Sequence, residues 1–328
     1  MSELSHSSLL GRRIRTGDAA RLGVPTWRLA AEALAAGDAG MAREYLAYAV
    51  EEAGRVIELY ATWLASMLRF GGERVPGFEA ELARLEAAIG VPPPLVDNVE
   101  DIGRVEHDRA VAALAANDRE GFEVALAELR EAGRVVHDAQ ADWSWGLLTV
   151  FRDALGEECM DEVFRETQGR WLAERYAKIA EMSPRESFEL TIEGMRGHYC
   201  GRGRSGEVDV AEDDEKWVLS FDPCGSGGRM RRGDPDHGQR SRDEPPFAFG
   251  YTHEAHDWSW GRKGVCLYCA HCAVVNEILP IESLGAPMRV TDYPEDATQP
   301  CRWTIYKSPK LVPDSVYERV GRRPPERP

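Results

Sequence analysis

Two stretches of this chain are near copies of each other, and both read as helix. Leu34-Ala-Ala-Gly-Asp38 matches Leu114-Ala-Ala-Asn-Asp118 at an offset of 80, and Glu52-Ala-Gly-Arg-Val56 matches Glu131-Ala-Gly-Arg-Val135 at an offset of 79. Around both, apolar residues recur at helical spacing, as in Tyr45, Leu46, Ala49, Val50, Val56, Ile57, Tyr60 and Leu64. Each copy reads as a helix, a Gly-Asp or Asn-Asp turn, and a longer helix. Helical hairpins cannot bury their apolar faces alone, so the two are predicted to pack as an antiparallel bundle.

The rest of the chain falls around this bundle. Residues 1–25 form an N-terminal extension and residues 26–196 the helical repeat domain. Within that domain, residues 74–99 (with Val91-Pro-Pro-Pro) read as a linker with one short helix. Ser183-Pro-Arg-Glu186 has the residues of a capped helix start. From residue 197 to 320 glycine and aromatics increase. Gly206–Val210, Lys216–Phe221, Met288–Asp292 and Cys301–Tyr306 alternate as strands, and Glu212–Glu215 suits a hairpin turn. Residues 231–246 read as a polar loop, and residues 265–279 as a helix ended by Pro280. Residues 321–328 form a tail. The fold class is α+β: a helical bundle followed by a small, cysteine-rich antiparallel-sheet domain.

Composition narrows the function classes. The chain of 328 residues carries a net charge of −16, which disfavours broad binding to nucleic acid. No run of 18 apolar residues occurs, so no membrane span is expected, and the N-terminal residues lack the apolar stretch of a secretion signal. The expected compartment is the cytoplasm. The helical domain offers a surface for an oligomer.

Six of the seven cysteines lie between residues 200 and 301. In a reducing compartment such density points to metal or catalysis rather than disulfides. Three of them fall in Cys266-Leu-Tyr-Cys269-Ala-His-Cys272. Thiolates at a Cys-x2-Cys step chelate borderline metals, and one more ligand completes a tetrahedral site. Cys224, in a glycine-rich turn, is the first candidate; Cys301 and Cys200 follow, then His253 and His256. The expected metal set is therefore Cys224, Cys266, Cys269 and Cys272, holding zinc. An iron–sulfur cluster is the alternative, although the run lacks the further Cys-Pro of ferredoxins.

A metal-bound water needs a base and an acid beside it. His256, Glu254 and His253 are the catalytic candidates by proximity in sequence. The spacing His253-Glu-Ala-His256 is not the HExxH of zinc proteases. Trp258, Trp260 and Arg229 are the expected pocket residues. The reading is an enzyme acting on a small-molecule substrate at the domain junction, by metal-assisted hydrolysis or lyase chemistry. The alternatives are an iron–sulfur redox protein and a non-enzymatic zinc-stabilised interaction module.

Overall fold

The computed structural model describes residues 3–198 and 204–326. It is a mixed helix-and-sheet protein, with a helical N-terminal region and a small antiparallel sheet. The chain opens on a hairpin of β1 (Leu4–Ser7) and β2 (Arg12–Arg15), followed by α1 (Ala19–Leu22). The hairpin is pinned by Arg15, which is fully buried. Its guanidinium donates to the carbonyls of Val24 and Arg21 and to Thr26 Oγ1, and pairs with Glu3.

α2 (Thr26–Ala35) and α3 (Ala39–Arg74) form one helical pair. Asp38 starts α3 by accepting a hydrogen bond from the Met41 amide at 2.8 Å. α4 (Phe78–Ile89) occupies the predicted linker and is anchored by buried Phe78 and Leu85. α5 (Arg104–Ala116) and α6 (Arg119–Leu155) come next, a short helix and a long one packed together. Asn117 takes the left-handed conformation at φ 53°, which asparagine tolerates, and Asp118 caps α6 through the Gly121 amide. The long helices α3 and α6 pack against each other. From Gln140 to Phe151 every residue of α6 is buried, so this stretch has no solvent face. Trp143 donates to the Val91 carbonyl and Trp145 to that of Gly250, which ties the helix to the chain on either side.

α7 (Met160–Phe164), a π-helical turn (Arg165–Gly169) and α8 (Arg170–Ile179) lead to α9 (Pro184–Gly197). The expected capping box is present: the Glu186 amide donates to Ser183 Oγ at 3.2 Å, and the Ser183 amide to Glu186 Oε2 at 2.8 Å. Ser183→Ala should cost about 1 kcal/mol, read as a lower urea midpoint at unchanged slope.

The sheet has β3 (Asp209–Glu212), β4 (Lys216–Phe221), β5 (Val290–Asp292) and β6 (Cys301–Tyr306) in the order β3-β4-β6-β5, all antiparallel. Asp213 holds the β3–β4 turn by accepting from the amides of Glu215 and Lys216. Trp217, Leu219 and Phe221 of β4 face inward and pack with Phe188, Ile192 and Met195 of α9. α10 (Gly227–Arg232), α11 (Leu267–Ala273), α12 (Leu279–Leu284) and α13 (Asp314–Glu318) complete the fold.

Pro280 does not end the helix there. A π-helical turn at Val274–Ile278 joins α11 to α12 and shifts the hydrogen-bond register, so Pro280 falls in the first turn of α12, where its missing N–H costs little. One buried cluster joins Tyr60, Trp63 and Leu64 of α3, Trp145 and Leu148 of α6, and Leu267, Tyr268 and Ala270 of α11. Among the described residues no helix is long and apolar enough to cross a membrane.

Candidate functional site

Strand pairing brings distant cysteines together. β4 lies beside β6 with Phe221 opposite Cys301, so Cys224, three residues past Phe221, emerges near Cys301. Cys269 and Cys272 sit one turn apart on α11. All four line one cavity of about 180 Å³. The turn after Cys224 fits only with glycine at two places. A Cβ on Gly225 would lie under 3.0 Å from the His198 carbonyl oxygen, and one on Gly227 under 3.0 Å from Cys269 Sγ.

Three of the cavity thiols, Cys269, Cys272 and Cys301, are held in their neutral form. A hydrogen bond with Cys266, then burial, raises Cys269; burial and the neighbouring Cys224 raise Cys272; burial, Cys224 and Cys272 raise Cys301. Several thiolates cannot share such a space unless a cation balances them.

Polar groups surround the sulfurs. Ser226 Oγ is 3.5 Å from Cys224 Sγ, and the Tyr60 and Tyr268 hydroxyls are hydrogen-bonded to each other. His271 Nδ1 meets the Tyr268 carbonyl, so that nitrogen carries the proton. Its Nε2 is left to accept and lies 3.6 Å from Cys272 Sγ. Burial lowers the His271 pKa to about 4, so the ring is neutral near pH 7.

A second histidine reaches the cavity through a relay. Asp138 Oδ1 lies 3.1 Å from His137 Nδ1, and His137 Nε2 lies 3.1 Å from His198 Nδ1. Arg204 grips Asp138 with two bonds of 2.8 Å, and Arg134 adds a third of 2.8 Å. Burial alone would raise the Asp138 pKa. Arg229, His137 and Arg204 outweigh it and hold the carboxyl well below its usual range. An ionised Asp138 accepts only, so His137 is protonated on Nδ1 and its Nε2 accepts from His198 Nδ1–H. Burial lowers both histidine pKa values. The remaining nitrogen, His198 Nε2, has no hydrogen-bond partner among the described residues, and His198 lines the cavity.

The residues expected from the sequence divide into three places. Cys224, Cys269 and Cys272 line the cavity; Cys266 lies buried behind Cys269, and Cys301 joins the wall. Cys200 lies outside the described residues. Cys159 sits elsewhere and donates to the Leu155 carbonyl. His253, Glu254 and His256 do not line the cavity. They wrap Glu157, whose carboxylate accepts from the His253 amide at 2.8 Å, the Glu254 amide at 3.0 Å and His256 Nε2 at 2.9 Å. His256 also stacks on Trp258 at 4.6 Å, which packs against Phe164 away from the cavity. Trp260 is a cavity residue, with Nε1 donating to Glu277 at 2.9 Å. Arg229 is buried outside the cavity wall on Asp142, at 2.6 Å.

The sequence reasoning missed Tyr60, His198 and Arg289, since none sits in a motif. Among the described residues, no three His, Cys, Asp or Glu side chains are grouped so as to hold one metal ion. Compared with protein families, with curated proteins and with solved structures, the chain matches none.

Proposed function

We propose that the chain is a small-molecule enzyme whose active site is the thiol-lined cavity, with the thiols carrying a metal centre. The observation behind this reading is the gathering of Cys224, Cys269, Cys272 and Cys301, from three separate parts of the sequence, around one cavity that His198 also lines. Soft sulfur donors with a nearby imidazole suit zinc, which supplies Lewis acidity for hydrolysis or a lyase reaction. His198 Nε2 is the proton acceptor of the site, kept unprotonated by its bond to His137. His271 orients Cys272. The Glu157 turn, with His253 and His256, stays outside the chemistry. The helical bundle, as one repeat domain, would form one wall, and the cysteine-rich sheet domain the other. The thiols call for a reducing compartment such as the cytoplasm.

An iron–sulfur centre is the second reading. It is favoured by four thiols lining one volume, of which, among the described residues, no three close on one point.

Elemental analysis and absorbance of protein purified without air test both, alongside Cys224→Ser and Cys272→Ser. A stoichiometric colourless metal lost in both variants supports zinc. Iron and sulfide, with a visible band that bleaches on reduction, support the cluster. A wild-type protein free of metal overturns both. Variants that unfold wholly on losing metal point to a structural centre in a non-enzymatic module.

A further inference from the structure

Among the described residues, the cavity wall carries three guanidinium groups, Arg175, Arg231 and Arg289, and no Asp or Glu. This runs against the rest of the molecule. The chain has 56 acidic residues against 40 basic ones, and its buried arginines elsewhere are paired: Arg196 with Glu52, Arg229 with Asp142, Arg204 with Asp138. A cation shielded from water with no carboxylate beside it is costly, so a place that keeps Arg231 and Arg289 in this way suits an anion.

The three are not equivalent. Arg231 spends both terminal nitrogens on the carbonyls of Pro294 and Glu295, at 2.9 and 2.6 Å, and lies on the Tyr293 ring. It supplies positive potential but few free donors. Arg175 stands exposed over Trp171. Arg289 is the prepared one. Its Nε donates to Asn276 Oδ1 at 2.8 Å, and its guanidinium lies over the Trp303 ring at 4.5 Å. Asn276 is itself buried and donates to Thr291. The arginine is thus fixed on its Nε edge and its face. Both terminal nitrogens are without a protein partner among the described residues, which leaves the fork that binds a carboxylate with two parallel bonds. Around it the wall is aromatic, with Trp63, Trp171 and Trp303.

We infer that the cavity takes a small, flat organic carboxylate, gripped by the free nitrogen pair of Arg289 with its apolar body against the tryptophans. This names the substrate class of the active site proposed above and rests on that reading for its catalytic meaning, though not for the binding itself. The cavity volume of about 180 Å³ is enough for a ligand of one ring, and a second cavity of about 450 Å³ adjoins it along Arg289 and Trp303.

The probes are benzoate, its neutral isostere benzamide, and inorganic phosphate, titrated calorimetrically into the full chain as purified. Benzoate should bind at least about tenfold tighter than benzamide. Arg289→Gln, which keeps a side chain of polar amide character and removes the charge, should weaken benzoate by about 10- to 100-fold and leave benzamide unchanged. Arg289→Lys, with charge but no fork, should fall between. Equal binding of benzoate and benzamide, or benzoate binding indifferent to Arg289→Gln, overturns the inference. Phosphate binding tighter than benzoate overturns the carboxylate class in favour of a phosphoryl ligand. A misfolded Arg289→Gln would show in its melting curve, and the benzoate–benzamide comparison on the wild type then decides. Failure of the active-site reading looks different: benzoate would still bind through Arg289 while the cysteine variants and the wild type alike carried no metal.

Discussion

Asp138→Ala should be among the most destabilising single changes in this protein, at about 3–5 kcal/mol. Asp138 is the shared acceptor for Arg204 and Arg134, each at 2.8 Å, with Arg229 at 3.5 Å and His137 at 3.1 Å. Its side chain is 4% exposed. Removing it leaves several buried donors without an acceptor and leaves Arg204, Arg134 and Arg229 with one carboxylate each, Asp234, Glu131 and Asp142, which costs far more than the net worth of any one bond. Urea unfolding followed by circular dichroism measures the loss; a change under 1 kcal/mol would mean that water satisfies these arginines.

Asp138→Asn is the subtler variant. An amide can donate to His137 Nδ1, which moves that ring's proton to Nε2. His198 Nδ1 then accepts, and its proton sits on Nε2. Nitrogen NMR of histidine-labelled protein should show Nδ1–H on His198 in the wild type and Nε2–H in the variant. The wild type showing Nε2–H would remove His198 as the proton acceptor.

The same carboxylate sets the acid limit of the fold. A group whose pKa is depressed by folding contributes its stability above the unfolded value, about 3.9 for aspartate, and loses it as pH falls towards the folded value. Asp138 lies well below the usual range when folded, and Glu193 is lowered too: burial opposes the shift, but Arg12 and Arg55 outweigh it. Stability should therefore be flat from neutral pH down to about pH 5 in these two contributions, then fall steadily below about pH 4. Asp138→Asn should begin lower and show a shallower acid slope. A wild-type protein as stable at pH 3 as at pH 7 would contradict the pairing.

Local chemistry was readable where one segment decides the outcome. β4 and β6 lie over the stretches that alternate, and Ser183 caps α9 as its neighbours imply, because alternation and capping depend on a few adjacent residues. The Cys-x2-Cys-x2-Cys run misleads for a related reason. Residues three apart share a face only if both are helical. Cys266 is the N-cap of α11, with extended backbone at φ −53° and ψ 125°, so its side chain leaves the stripe that Cys269 and Cys272 continue. The histidines near residue 255 look catalytic by density alone, yet Glu157, about 100 residues earlier, gathers them into a turn. Density in sequence is not proximity in space. His198 and Arg289 carry no local signature, since tertiary contacts with His137 and Asn276 make them what they are.

Gly225→Ala should damage the site and the fold together. The added methyl would lie under 3.0 Å from the carbonyl oxygen of His198, and the obstacle is backbone rather than a side chain that can swing away. Nor can that backbone retreat. Gly197, the preceding residue, is itself pressed so closely on α3 that a Cβ there would come within 3.0 Å of the Glu52 carbonyl. The turn must move instead, and it carries Cys224 and Ser226. The expected cost is about 1–3 kcal/mol in urea unfolding, as for other overpacked sites. The expected site effect is loss of both the metal and benzoate binding. Gly194→Ala is the matched control, in α9 itself. No atom lies within 4 Å of its would-be Cβ, so alanine there should stabilise by about 0.5–1 kcal/mol through helix propensity alone. The two alanines should thus act with opposite sign although they lie close to the same helix end. Equal, small effects at both would mean that the Cys224 turn does not press on the end of α9, and the cavity wall would have to be built some other way.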